Sequence, residues 1–355
     1  MTYGYNFVVR GGTKFNCVTF SEVQESVLFV NSKVCFSIKY LDYHEALQFR
    51  GFASGRAISW AGAKLWFPGA HADFRKLYQD AQMLKLAMKE FGRMWGPSVF
   101  AIEVANEISG ANLKAYDDFL HARAFPPRDR DSVRELAGDG HEKVIAKCRP
   151  PSSPAADGAG ASDPPSKRKF GHGWFMIVHP GSQRILGLEP QTEPENNAVK
   201  IRRLGKMVHV YKRVDCFIHD NNCHLQPTAA GLPSLRQIAF WPIDRFHGRN
   251  HNKKCKNSTY NVPGLEERLG DTNTSASEQV FSWFRCFARV LNEMRENRRK
   301  FLVLYYCSQH NGAIDSGEPI EYLNPRRAAP KRRKTRGYVC HGKKAPPVKE
   351  SAGKG

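Results

Sequence analysis

Apolar and polar positions divide this chain into stretches of distinct period. Residues 70–94 carry Phe74, Leu77, Met83, Leu86, Met88 and Phe91 among charges, which predicts an amphipathic helix. "GWFMIVHP" (173–180) is nearly continuous in apolar residues and reads as a buried strand. Pro180-Gly181 then turns the chain into a second strand, "QRILGLEP" (183–190), so the pair predicts a hairpin. Residues 193–212 place acids first and bases later, as a helix dipole prefers. Cys216, Phe217 and Ile218 read as the end of a buried strand preceded by Val208, Val210 and Val214.

Residues 273–297 predict one helix, with Phe281, Phe284, Ala288, Leu291 and Arg295 on a face and Val280, Phe287 and Met294 beside it. Ser275 and Glu278 have capping-box spacing at its start. A further apolar segment follows at 300–311, and residues 1–65 mix short apolar runs with aromatic and small residues. Residues 149–170 are Pro, Ser, Ala and Gly with little to bury, which predicts a flexible loop. No internal repeat is visible.

Composition narrows the function classes. No apolar run is long enough to span a bilayer, and the first residues lack a charged-then-apolar leader, so neither a membrane protein nor an exported one is expected. Nine scattered cysteines do not form a disulfide pattern and read as thiols or metal ligands in a reducing compartment. The net charge is +20, and half of it, eleven Lys/Arg against one Glu, lies in residues 325–355. Because the other 324 residues remain at +10, a polyanion partner is expected, most simply nucleic acid. "PRRAAPKRRKTRG" reads as a nuclear address, a DNA tether, or both.

The strand at 216–218 runs directly into His219, Asp220, Asn221, Asn222, Cys223 and His224. Asp-Asn-Asn is good turn chemistry, but a strand end is also where α/β proteins keep reactive groups. The order hairpin, helix, strand ending in Asp, then a late helix opening with Glu fits the latter part of a ribonuclease-H-like fold. A first acid should then precede "GWFMIVHP", and Asp139 before Gly140 is the candidate.

"DGHEKVIAKC", "IHDNNCHL", "IDRFHGRNHNKKCKNSTYNVP" and the block from Asn273 to Asn311 resemble the core of the Kyakuja-Dileera-Zisupton transposases and their cysteine-cluster-associated relatives. The resemblance covers residues 139–311 and extends weakly into 23–60. It implies an α/β (α+β) chain with a ribonuclease-H-like mixed-sheet core at 126–315, a mainly helical region at 1–125 and a disordered basic tail at 316–355. Within the core, 149–170 would be a loop and 221–272 an insertion.

By the same resemblance Asp139, Asp220 and Glu278 fall on the family's three acids. They would hold Mg²⁺ or Mn²⁺ for DNA strand cleavage and transfer, since such ions need hard oxygen ligands from several elements. His247, His251 and Cys255 are spaced by four, as on one helix face, and with Cys223 they make a Cys₂His₂ set suited to structural zinc. His224 is a rival fourth ligand. Arg245, Arg249, Lys253 and Lys254 around that set, and Arg298, Arg299 and Lys300 after the late helix, are the candidate DNA contacts. Unlike the family, the chain has only Cys17 and Cys35 before residue 148, and it is short for a mobile-element enzyme. Two readings follow: a transposase-derived DNA-cleaving enzyme, a truncated or inactive copy included, and a non-enzymatic nuclear DNA-binding protein that keeps the fold and zinc site. A homo-oligomer is left open.

Overall fold

The computed structural model describes residues 7–10, 13–16, 27–29, 35–66, 71–95, 102–103, 108, 110–124, 127–141, 173–191, 196–251 and 265–318. The expected loop at 149–170 and the tail from 319 lie outside them. Near the start, β1 (Phe7–Arg10) and β2 (Thr13–Asn16) pair antiparallel, as do β3 (Val27–Phe29) and β4 (Cys35–Ser37). Helices α1 (Ile38–Gly51), α2 (Gly55–Trp66) and α3 (His71–Trp95) follow. β5 (Ile102–Glu103) joins β2, and α4 (Gly110–Arg123) leads toward the central sheet. Among the described residues before 125 helices therefore predominate, with short strands that the sequence pattern did not show.

The central sheet is built from β6 (Glu135–His141), β7 (Gly173–Val178), β8 (Ile185–Gln191) and β9 (Cys216–Ile218), in the order β8-β7-β6-β9. β6, β7 and β8 form an antiparallel meander, whereas β9 lies parallel to β6. The parallel return requires a crossover, and α5 (Asn197–Val210) supplies it. Asn196 starts that helix by accepting a hydrogen bond from Val199 N at 3.0 Å. Val208 and Val210 thus belong to the crossover helix, and the strand itself is only three residues long. Beyond β9 the chain returns alongside it: Cys216 bridges Phe240 in parallel, and the N–H groups of Phe217 and His219 reach Phe240 O and Pro242 O. This fixes the residues after β9 on both sides.

Alternation along the strands splits the core in two. Ala137, Trp174, Met176, Val178, Cys216 and Ile218 face one cluster, while Leu136, Phe175, Ile177 and Phe217 face another with Val199, Leu204 and Met207 of α5. The first face is covered by α8 (Ala276–Phe284) and α10 (Glu296–Asp315), which α6 (Asn222–Ala229), α7 (Leu265–Leu269) and α9 (Ala288–Leu291) precede or separate. Gly138 faces the second cluster, where a Cβ would come within 2.7 Å of the Phe217 ring and 3.0 Å of Phe175.

Residues 273–297 do not form the single helix expected. α8 ends at Phe284, a 3₁₀ turn spans Arg285–Phe287, α9 ends at Leu291, and α10 restarts at Glu296. The break lets Phe287 stack on Tyr306 with ring centroids 4.1 Å apart. In a continuous helix those residues would be about 28 Å apart, so aromatic burial prevails over helix continuity. The apolar segment 300–311 is the interior of α10, which also anchors the first helices. Tyr305 OH and the Lys85 and Lys89 ammonium groups surround the buried Glu45 carboxylate. Burial would raise the Glu45 pKa, but those cations and hydrogen bonds lower it, so the group stays ionised. Among the described residues no helix is long and apolar enough to cross a membrane.

Candidate active site

The parallel register of β6 and β9 pairs Glu135 with Cys216, Leu136 with Phe217 and Ala137 with Ile218. Carried two residues further, it sets Asp139 opposite Asp220, on the face that α8 covers. Among the described residues Asp139, His219 and Asp220 each bring a ligating atom to within 4.8 Å of the other two. His219 is buried, and its Nδ1 lies 3.0 Å from Gly138 O and 3.0 Å from Asp220 Oδ1. Because a carbonyl only accepts, Nδ1 carries the proton, and the ring ties the two acid-bearing segments together.

Burial alone would raise the Asp220 pKa. The hydrogen bond and charge of His219, with Lys200 and His247 adding to them, outweigh burial and hold it at about 2. The group is therefore an anion throughout the physiological range, although its side chain is 38% exposed. An ionised, partly exposed carboxylate beside a second one is a suitable donor pair for a hard divalent cation.

Glu278 reaches this face from the first turn of α8. Phe281, three residues on, stacks on His141 at 4.8 Å, and His141 lies two residues beyond Asp139 on the same side of β6. That contact aims the Glu278 face of α8 at the acids. Ser275 makes no side-chain cap, so the capping box is not formed at the serine. Glu278 Oε1 instead lies 3.2 Å from His247 Nε2, and it is not part of the group formed by Asp139, His219 and Asp220.

His247 opens a 3₁₀ turn (His247–Asn250), and His251 follows in extended backbone at φ −78° and ψ 147°. The spacing of four thus does not place His247 and His251 on one helix face. Cys223 Sγ and His251 Nδ1 are 3.7 Å apart, so these two members of the Cys₂His₂ set meet. His247 is engaged with two carboxylates instead. Its Nδ1 is hydrogen-bonded to the buried Asp244 carboxylate, whose other oxygen accepts from Phe246 N at 2.8 Å and His247 N at 3.1 Å. Burial would lower the His247 pKa, but Asp244 first, then Glu278 and Asp220, raise it. Cys255 lies outside the described residues, and His224 is exposed, its carbonyl accepting from Asn197.

Three of the expected DNA contacts are engaged within the fold. Arg245 donates to Gly270 O at 2.7 Å and Thr272 O at 3.3 Å, Arg298 pairs with Asp80 at 2.6 Å, and Lys300 pairs with Glu296 at 2.6 Å. Arg299 is buried. The Arg249 side chain, Lys253 and Lys254 lie outside the described residues. Sequence reasoning did not single out His219 or Asp244. The available signals were adjacency to Asp220 for the first and the three-residue spacing to His247 for the second.

Two solved structures are similar to the chain. "Mos1 transposase paired-end complex with left transposon end" has 14% identity over 74% of this chain and 78% of that one, with a TM-score of 0.19. "Crystal structure of a pre-cleavage Mos1 transpososome" has 12% identity over 79% and 96%, also with a TM-score of 0.19. At those scores neither bears on the site. No curated protein matches the chain. Residues 194–311, which hold Asp220, Cys223, His247, His251, Cys255 and Glu278 but not Asp139, match the Kyakuja-Dileera-Zisupton transposase family, the one that the motif blocks resemble.

Proposed function

We propose that the chain is a transposase-derived protein that cleaves and joins DNA strands at Asp139, Asp220 and Glu278 on a ribonuclease-H-like core. The observation that carries this reading is the convergence of Asp139 and Asp220 across the parallel β6–β9 pair. The meander β6-β7-β8 with a parallel β9 beside β6, and a late helix bringing a glutamate to the same face, supports it further. DNA as the substrate rests on the family match and on the basic charge.

Asp139 and Asp220 would hold Mg²⁺ or Mn²⁺, with Glu278 as the third carboxylate. The bound ions would lower the pKa of an attacking water or 3′-hydroxyl and neutralise charge on the phosphate. The chain's own part is positional. His219 fixes the orientation of Asp220 against β6, and Asp244 fixes the orientation of the His247 ring so that Nε2 faces Glu278. Cys223 and His251, which meet, would belong to a structural zinc set with Cys255 as a further ligand, and the basic stretch 325–355 would serve as nuclear address and DNA tether.

One observation favours the second reading, a nuclear DNA-binding protein without catalysis: Glu278 pairs with His247 rather than joining the two aspartates. Manganese binding separates the two. Calorimetry on the purified full chain should show Mn²⁺ uptake that Asp139→Asn and Asp220→Asn each abolish. Uptake that is absent, or unchanged in both variants, leaves the binding protein as the function.

A further inference from the structure

Between residues 196 and 243 the only acids are Asp215 and Asp220, against seven Lys and Arg. Asp215 is held by Arg134 and Arg268, and Asp220 belongs to the acid site. Two of the cations, Lys200 and Arg203, are buried beneath α5. The other five, Arg202, Lys206, Lys212, Arg213 and Arg236, are all exposed. Arg202, Lys206 and the exposed His209 recur at helical spacing along the outside of α5, and Lys212 and Arg213 continue the line past its end. Arg236 lies just beyond the turn Pro233–Leu235, which packs on the same helix.

Among the described residues the carboxylates that pair with α5 are Glu189, which Arg202 approaches at 3.0 Å, Arg203 at 3.4 Å and Lys206 at 3.9 Å, and Asp117, which lies 3.7 Å from Arg203. Two acids, both shared with the buried Arg203, cannot balance five exposed cations. A single-sign face of this kind creates a potential that attracts polyanions.

We propose that this face binds the phosphate backbone of duplex DNA, on the side of the central sheet opposite α8. The inference rests on the functional reading only for the choice of DNA as the polyanion. α5 rises about 1.5 Å per residue, so Arg202 to His209 spans about 10 Å. A DNA strand presents a phosphate about every 3.4 Å of axis, so the stripe and its continuation match several phosphates. Binding through phosphates alone is independent of sequence. A duplex held here is anchored away from the acids, which separates holding DNA from cutting it.

The test measures binding of a labelled mixed-sequence DNA duplex to the full chain across a salt series. The variant is Lys206→Gln, Lys212→Gln, Arg213→Gln and Arg236→Gln combined, with Arg202 kept for its Glu189 pair. A charge-matched control replaces four exposed cations elsewhere, Lys39, Lys64, Lys114 and Arg123, by Gln. The surface variant should lose about 10-fold or more in affinity at about 0.1 M salt. Its log–log slope should become shallower by about 0.9 for each phosphate that it no longer neutralises. The control should change far less, and thermal melting should match the wild type in both. Equal loss in both variants means that only net charge matters and overturns the proposal. So does a loss confined to duplex RNA. A wild type that binds and nicks DNA with an unchanged slope in the surface variant removes this surface alone. A wild type that binds no DNA removes the surface and the functional reading together.

Discussion

Nε2 of His247 lies 3.2 Å from Oε1 of Glu278, while Nδ1 of the same ring is hydrogen-bonded to the buried carboxylate of Asp244. A histidine that the sequence groups with zinc ligands is thereby joined to the glutamate that the sequence groups with the two aspartates. The metal content of variants should reflect this. His251→Ala and Cys223→Ser should lose zinc and melt at lower temperature, because structural zinc contributes directly to folding. His247→Gln should retain zinc, as atomic absorption on protein prepared without chelators can show. Loss of zinc in all three variants would return His247 to the zinc set.

The close approach of β6 to two aromatic rings makes Gly138 a sensitive position. In Gly138→Ala the added methyl must displace Phe217, 2.7 Å away, or Phe175 at 3.0 Å. Overpacking of this kind costs about 1–3 kcal/mol. Because Asp139 is the next residue, the shift should also weaken Mn²⁺ binding. Urea unfolding should reveal the first effect and calorimetry the second; a variant as stable as the wild type would mean that the rings move aside freely.

His310 on α10 is fully buried, with its ring 4.7 Å from that of Trp283. Burial, aided by the Arg184 charge and opposed by a hydrogen bond to Asn311, pushes its pKa down to about 4. Between about pH 6.5 and pH 4 the unfolded chain therefore binds a proton that the folded chain excludes. Stability should fall as pH drops through that window, by up to about 3 kcal/mol in total. His310→Leu should flatten this part of the curve of unfolding free energy against pH. An unchanged curve would assign the acid sensitivity to other groups.

The helix at 71–95 and the hairpin from Gly173 to Gln191 were legible because their apolar spacing is set by local backbone geometry. The order of elements around Asp220 was legible for the same reason. What escaped depends on contacts distant in sequence. The break after Phe284 follows from Phe287 meeting Tyr306, which no local period encodes. Strands of two to four residues such as β1 to β5 are too short to show alternation. At His247, a spacing of four could not distinguish a helix face from a 3₁₀ turn leading into extended chain, and Asp244 three residues earlier captured the ring. The basic residues beside the motif were visible as charges, but their partners, such as Asp80 for Arg298, were not.

The pairing of Asp139 with Asp220 is the centre of the account, and nicking of supercoiled plasmid by the purified full chain tests it most directly. The wild type should convert supercoiled to open-circular DNA in Mg²⁺ or Mn²⁺ and fail to do so in chelator. Asp220→Asn should abolish nicking, at least 10³-fold below wild type as an order-of-magnitude expectation for losing a metal-holding carboxylate, while binding DNA within about two-fold of wild type, since it removes a negative charge without touching the basic face. Metal-independent nicking, no nicking by the wild type, or nicking that survives in Asp220→Asn would contradict the account.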